Sequence, residues 1–507
     1  MNLMEVIFLY SKKLAQYVAL ILLLPSIVFS QKIMTVEEAI EIAMSNSPQI
    51  RRSQYNLERS RELLNAQNAA LKSKFALSIT PFNFNRDRTF FSPLSLWQTS
   101  KTKQSTGTFS ISQPIKWTDG TLYLINRFTW QDVMSEVPSL STGLMRNTQR
   151  KDFINRLYLS FQQPLFTYNR TKLALRELEL DLENTELQYT IQRLNLEQQV
   201  VRSFYEVYLA KLRVDIAKEE LNNQQKSYQI IKNKVDAGLA APEELYQAEL
   251  NLATSKSSLQ NEQVNLENLL DNFKNLIGLP LDEDISVIAD VTYQPVKVDL
   301  QKAISHGLRN RMELRQRQID IENARFNLIR TASQNEFKGN LTINYGIFGQ
   351  DEQFRHLYDV PTRNEGFTIS FDIPLYDWGE KESRIRASKA IIKSRKLSLE
   401  EEKNNIIISI KQAYRSLQNL EFQVKIAEQN VKNAQLTYDI NLERYKNGDL
   451  TSMDLNLFQT QLSEKKNQLV ETLINYRLAL LNLKIQSLWD FEKDRPVIDI
   501  KNSNFME

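Results

Sequence analysis

Residues 157–250 can be laid over residues 367–460 at a constant offset of 210, without a gap. Leu159-Ser160-Phe161-Gln162-Gln163-Pro164-Leu165-Phe166 then faces Ile369-Ser370-Phe371-Asp372-Ile373-Pro374-Leu375-Tyr376, Tyr228 faces Tyr438, and Gly238 faces Gly448. The segments before these also repeat, at an offset of 264: Ala39-Ile40 matches Ala303-Ile304, Ile50 matches Leu314, and Glu58 and Arg61 match Glu322 and Arg325. The difference of 54 residues is an enlarged loop in the first copy, between Asn83 and Ile154. A tandem duplication of this size requires the two halves to occupy equivalent places in one architecture.

Each half reads helix, strand, loop, strand, very long helix, turn, helix. Thr35 with Glu38 three residues later has the spacing of a capping box, and Asp299 is a cap candidate at the equivalent place. From Thr171 to Lys234 neither proline nor glycine interrupts the chain, and as one helix this stretch would span roughly 95 Å. Leu187, Ile191, Leu194, Val201, Tyr205, Tyr208 and Leu212 recur within it at heptad spacing, with Gln198 in the polar slot, so the helix should supercoil against neighbours. Residues 381–446 repeat the build. The shorter helices suggest two stacked pairs of matching length: Pro242 to Leu276 with Leu300 to Glu336, and the helix after Thr451 with the one from Thr35.

The strands are short and alternate: Phe367, Ile369, Phe371 and Ile373 with Thr368, Ser370 and Asp372; Leu157, Leu159 and Phe161 with Tyr158, Ser160 and Gln162. About nine residues is what a tilted membrane strand needs. An open sheet in lipid would leave unpaired backbone groups at several kcal/mol each, so so few strands must close with those of other copies.

The ends and the composition set further bounds. Lys12 and Lys13 precede an apolar run from Leu14 to Phe29, which predicts a signal peptide over 1–30, an N-terminal anchor being the alternative. Zero cysteine excludes disulfides and a cysteine-linked lipid. Lys+Arg 64 against Asp+Glu 61 speaks against a nucleic-acid partner. His306 and His356 lie apart and no phosphate-cradling glycine loop occurs, so neither an enzyme nor a cofactor or metal site is expected.

Ser160-Phe161-Gln162-Gln163-Pro164-Leu165-Phe166 and Ser370-Phe371-Asp372-Ile373-Pro374-Leu375-Tyr376-Asp377-Trp378-Gly379 resemble the strand-to-helix junctions of the TolC-like outer membrane efflux family. Pro164 and Pro374 sit where a strand bends into a tunnel helix, a place that suits a fixed φ. The resemblance covers residues 34–488. It implies a mixed α/β membrane protein of the bacterial outer membrane: a homotrimer whose 12-stranded β-barrel, four strands per protomer, continues into a 12-helix α-barrel in the periplasm. The repeats would be 31–278 and 299–488, with equatorial segments at 279–298 and 489–507.

Within the enlarged loop, Thr108 to Ser112 and Thr121 to Trp130 alternate around the turn Thr118-Asp119-Gly120. We expect an extracellular hairpin here, the alternative being two more membrane strands and an 18-stranded trimer. Ile111-Ser112-Gln113-Pro114-Ile115 echoes Phe161-Gln162-Gln163-Pro164-Leu165, yet no long helix follows it.

The hairpin tips, Gly238-Leu239-Ala240 and Gly448-Asp449-Leu450, are the same turn, with glycine as the left-handed cap. In the family such tips meet a periplasmic adaptor and an inner-membrane pump. Asp454 falls on the place of a gate aspartate and Tyr445 on that of a tyrosine tying neighbouring helices; Leu450 and Leu457 stand where an arginine and a second aspartate are expected. Three copies of Asp454 would make a cation-binding ring, or Asp454 would simply favour the first turn of its helix. The resemblance thus implies passive conduction from pump and adaptor to the exterior, substrate unspecified. The competing reading is a periplasmic coiled-coil scaffold that never enters a membrane.

Overall fold

The computed structural model describes residues 32–138, 145–289, 291–447 and 449–497. The expected signal peptide and Gly448 lie outside the described residues. In chain order the elements are β1 (Lys32–Met34), α1 (Val36–Asn46), α2 (Pro48–Ala70), β2 (Lys74–Phe91), β3 (Leu96–Ile115), β4 (Gly120–Pro138), β5 (Met145–Leu165) and α3 (Arg170–Asp236). There follow α4 (Pro242–Ile277), β6 (Ile285–Val287), α5 (Leu300–Asn310), α6 (Met312–Ala332), β7 (Lys338–Asp351), β8 (Thr362–Asp372), α7 (Glu380–Asn447), α8 (Ser452–Ser487), β9 (Trp489–Asp490) and β10 (Arg495–Pro496).

The two long helices, 67 and 68 residues, start and stop where local chemistry dictates. Asn169 caps α3 by accepting from the Lys172 amide at 2.7 Å. At its far end Gly238 takes φ +71° and the Leu239 amide donates back to Lys234 O at 2.8 Å, a left-handed cap. The Asp449 amide does the same to Arg444 O at 2.9 Å at the end of α7. The capping box at Thr35 and Glu38 forms, and Asp299 accepts from the Gln301 and Lys302 amides.

The short helices stack differently from the length match in the sequence. The α4 helix ends against the break between α1 and α2, and α8 ends against the break between α5 and α6. At the first place Gly278, φ +77°, packs so closely on Asn46 that a Cβ would lie 2.6 Å from its carbonyl oxygen. At the second, Arg311 donates to Gln486 Oε1 at 2.7 Å and also to its carbonyl oxygen. Close contacts at the breaks, Gly278 on Asn46 and the Arg311 guanidinium on Gln486, rather than total length, mark the partner of each helix end.

Three apolar clusters hold the helices. One joins Met34, Ala39 and Ile50 to Leu196, Val200, Phe204, Phe273 and Ile277; a second joins Ala303 and Leu314 to Ile406, Ile410, Tyr476 and Leu483; a third sits at the hairpin tips. Phe204 and Phe273, each fully buried with ring centroids 6.1 Å apart, contribute about 1.5–3 kcal/mol apiece through burial. Ion pairs from α6 to its neighbours, Arg315 to Glu183 at 2.5 Å and Arg317 to Glu402 at 3.3 Å, fix the helices nearest the sheet.

A single antiparallel sheet of six strands stands on the helices, in the order β2-β3-β4-β5-β7-β8. The expectation of four strands per protomer with an extracellular hairpin is therefore corrected. The segments Leu96–Ile115 and Gly120–Pro138 insert between β2 and β5 as full members, paired along their length. Their turn lies at the helical end: Asn169 Nδ2 donates to Lys116 O and Trp117 O, at 2.7 and 3.0 Å. Asp119 Oδ1 accepts from the Thr171 amide at 3.0 Å and from its hydroxyl. The sequence hid the upper halves of these strands because Lys101, Lys103 and Asp132 replace apolar residues there and break the alternation.

Candidate functional site

Pleating sends alternate side chains to opposite faces, and directly paired residues share a face. One row across all six strands reads Leu77, Phe109, Asn126, Leu157, Ile347 and Arg363; the row beneath reads Phe75, Ile111, Leu124, Leu159, Tyr345 and Glu365. Lower still come Leu122, Phe161, Ile343 and Phe367. The opposite face carries Ser78, Thr108, Arg127, Arg156, Phe348 and Thr362 in one row and Ala76, Ser110, Ile125, Tyr158, Gly346 and Asn364 in another. One face is thus a nearly continuous apolar band and the other is largely polar. The segment between β7 and β8 covers the top of the band, where Phe354 packs on Phe128 and Phe153, but below it the band is uncovered: Phe75, Leu77, Ile79, Phe109, Leu159, Phe367 and Ile369 are all exposed. Both outer strands are open as well, β2 exposed almost throughout and β8 nearly so. An apolar face and free edges of this kind are what any sheet in lipid must cover and pair.

Proline does not itself make the bend from sheet to helix. Pro164 still pairs with Asn340 inside β5, and the chain turns two residues later at Phe166, φ +58°. Pro374 follows the end of β8, and the turn comes at Trp378 and Gly379, φ +57° and +82°. There Asp377 accepts from the Gly379 and Lys381 amides, both at 3.0 Å, and the Lys381 bond first of all holds its carboxyl below the usual aspartate range. Neither proline marks the last pair of its ladder, which runs on to Leu165 in β5 and stops at Asp372 in β8, and the residues after the prolines turn the chain.

The Gln-Pro echo has a physical meaning. Gln163 Nε2 donates to Thr118 O and Pro164 O, and Gln113 Nε2 donates to Leu71 O and Pro114 O. In both, the glutamine ties its strand end to the adjacent chain. A Cβ on Gly120 would lie 2.5 Å from Gln163 Oε1, so a larger residue there would push the glutamine side chain aside. In the sequence Asp119 stands out only as part of a turn and Asp377 only as part of a junction, and Asn169 is passed over, although Asn169, three residues before Lys172, has a cap's spacing.

At the other end the two hairpins pack on each other through Ile231, Ala248, Tyr445 and Leu455. Tyr445 is buried, and its hydroxyl has no hydrogen-bond partner among the described residues. Burial, with the Glu244 charge second, pushes its pKa above the ordinary tyrosine value. Leu450 packs at the edge of this cluster, Leu239 and Leu457 are exposed, Ala240 is half-buried and Asp449 is exposed. Asp454 lies in the first turn of α8: its amide donates to Thr451 Oγ1 at 3.2 Å and its carboxylate accepts from the Thr451 hydroxyl at 2.7 Å. The tips therefore bring Tyr445, Leu450 and Asp454 to one end of the molecule, far from Pro164 and Pro374.

Comparison with known proteins agrees with this geometry. Residues 134–279 and 340–485 match the family described as Outer membrane efflux protein. The chain is 21% identical over 308 residues to Toxin and drug export protein A of Aggregatibacter actinomycetemcomitans, covering 60% of this chain and 62% of that one. It is 21% identical over 302 residues to Nodulation protein T of Rhizobium leguminosarum bv. trifolii, covering 57% and 62%. The match thus spans less than two thirds of these relatives' length. Among solved structures, the CmeC outer membrane channel of Campylobacter jejuni superposes with a TM-score of 0.66 at 14% identity, covering 89% of this chain and 85% of that one. The outer membrane protein VceC of Vibrio cholerae gives 0.63 at 14%, covering 89% and 94%. The fold is theirs, with helices on the periplasmic side of the sheet, and the two matched segments make up more than half of the sequence: the chain belongs to the outer membrane efflux protein family.

Proposed function

We propose that the protein is the outer-membrane duct of a tripartite efflux or secretion system. Three protomers, each a tandem repeat of 31–278 and 299–488, join β2 of one to β8 of the next. The barrel then has eighteen strands, six from each chain, above a wall of twelve helices. The observation that carries this reading is the uncovered apolar band running across six strands whose two edges are both open. Each edge strand carries a row of unpaired donors and acceptors that only a partner strand can satisfy inside lipid.

The duct performs no chemistry. Substrates reach it from an inner-membrane pump through a periplasmic adaptor, which grips the tips at Gly238, Leu239 and Ala240 and at Gly448, Asp449 and Leu450. Tyr445 and Asp454 belong to the entrance. The two relatives' names, one toxin and drug export and one nodulation, support export without choosing a cargo.

The test uses single cysteines, since the chain has none of its own. In outer membranes, Leu124→Cys and Ile369→Cys should react with a membrane-soluble maleimide, while Tyr123→Cys and Ser370→Cys react with a water-soluble one admitted through the pore. Equal reaction of all four with the water-soluble reagent, with protein recovered in the soluble periplasmic fraction, would favour the scaffold and reject the duct.

A further inference from the structure

The apolar face of the sheet ends abruptly, and at the same row on neighbouring strands. Above the apolar rows, Phe84 of β2, Lys103 of β3, Asp132 of β4 and Lys151 of β5 stand side by side, and the next row brings Arg86 directly opposite Lys101. These four cations share the face of the apolar band by strand alternation and are exposed. None of them makes an ion pair among the described residues. Of the acids on this face, Asp132 is buried and accepts from Gln149 Nε2 at 2.8 Å, and Glu136 lies beyond Lys101 at the far side of the cluster, leaving the four cations in excess. Like charges held directly opposite in a sheet repel unless an anion sits between them.

We propose that this basic rim, Arg86, Lys101, Lys103 and Lys151, binds the phosphate of an anionic lipid in the outer leaflet. Its acyl chains would lie on the apolar band below. The choice of a lipid over a free anion rests on continuity: the cations begin where the lipid-facing rows stop, at the end of the sheet remote from the helices. Phe84 and Phe82, both exposed, occupy the boundary on β2 and offer the headgroup level an aromatic edge. The inserted strands β3 and β4 supply two of the four cations and the acid between the rows. The inserted hairpin thus does more than widen the sheet, giving the outer surface a recognition site for phosphorylated lipid. The inference rests on the membrane reading above, and the experiment separates the two.

The full-length protein, purified in neutral detergent, would be reconstituted into phosphatidylcholine vesicles with or without diphosphorylated lipid A. Lipid retained after re-extraction would be counted by mass spectrometry. The wild type should retain lipid A, and Arg86→Gln/Lys101→Gln/Lys103→Gln/Lys151→Gln should retain about tenfold less while inserting equally well. Equal retention by both proteins, with normal insertion, overturns the lipid site and leaves the duct standing. Displacement of lipid A by an equal concentration of inorganic phosphate also overturns it, in favour of a small-anion site. Failure of the wild type to insert into either vesicle rejects the membrane reading and this inference with it.

Discussion

Lys234 of the first hairpin lies over the ring of Tyr445 in the second, with Nζ 4.5 Å from the ring centroid and 3.4 Å from the Tyr445 carbonyl oxygen. One side chain thus clasps the two tips together through both a π face and the backbone. Because the tyrosine hydroxyl has no partner, Tyr445→Phe should leave the clasp intact. Tyr445→Ala should cost about 3–5 kcal/mol of local stability by emptying the cluster. Hydrogen exchange of amides 228–245 and 438–455 reads the difference; equal acceleration in both variants would refute the assignment.

The same burial gives the tips a pH dependence. A tyrosine whose folded pKa is raised stabilises the fold fully below its ordinary value near 10 and loses that contribution as pH climbs through the raised value. Burial raises Tyr438 as well, and it packs beside the same cluster. Amide exchange at the tips should therefore step up in alkali. The step should shrink in Tyr445→Phe and vanish in Tyr438→Phe/Tyr445→Phe.

Two glycines with similar φ separate backbone strain from crowding. At Gly238 an added Cβ meets open space, so Gly238→Ala should cost about 1–2 kcal/mol from the left-handed conformation alone. At Gly278 the Asn46 backbone blocks the Cβ, so Gly278→Ala should cost more and lower the unfolding midpoint further. A denaturation series on both variants measures the gap.

Thr451 and Asp454 allow the helix cap to be tested apart from the proposed entrance. Thr451→Ala removes the cap of α8 and should cost about 1 kcal/mol, with conductance and its block by trivalent cations unchanged. If three Asp454 carboxylates line the entrance, Asp454→Ala abolishes that block. Unaltered block in planar bilayers would reduce Asp454 to its bond with Thr451.

Asn169→Ala should lose the cap of α3 and both donors to the β3–β4 turn. About 1–2 kcal/mol of stability should go with them, and the amides of 116–119 should exchange faster while the protein still inserts into vesicles.

The long helices were legible in the sequence because nothing breaks them, and the caps at Thr35, Asp299 and Gly238 because cap chemistry is local. The heptad stripe was half legible. Val201 and Tyr205 are buried as expected, but Leu187, Ile191 and Leu194 are only half-buried, and Leu196, Val200, Val207 and Val214 lie deeper. A helix packed on two sides buries a second seam that a search for one stripe passes over. The six-stranded sheet was legible only as the second choice, since alternation fades where Lys101, Lys103 and Asp132 interrupt the apolar band. The stacking of α4 on α1–α2 was hidden for another reason: which helix end meets which break depends on contacts such as Gly278 with Asn46, and length alone cannot choose between them. At the site, the tips followed from turn chemistry, while the bends at Phe166 and Trp378 follow from left-handed backbone at residues that give no such warning.

The inserted hairpin also settles how well the two walls of the protein fit. At any level four helices stand abreast, α3 and α7 with one from each stacked set, and at usual spacings they are about 36 Å wide together. Six strands at membrane tilt occupy about 38 Å, whereas four would reach only about 25 Å. The sheet is therefore as wide as the helical layer it stands on, and in the duct proposed above the bore would keep one width through the junction. A bulky cargo of that proposed duct would meet no narrowing where the helices give way to the strands.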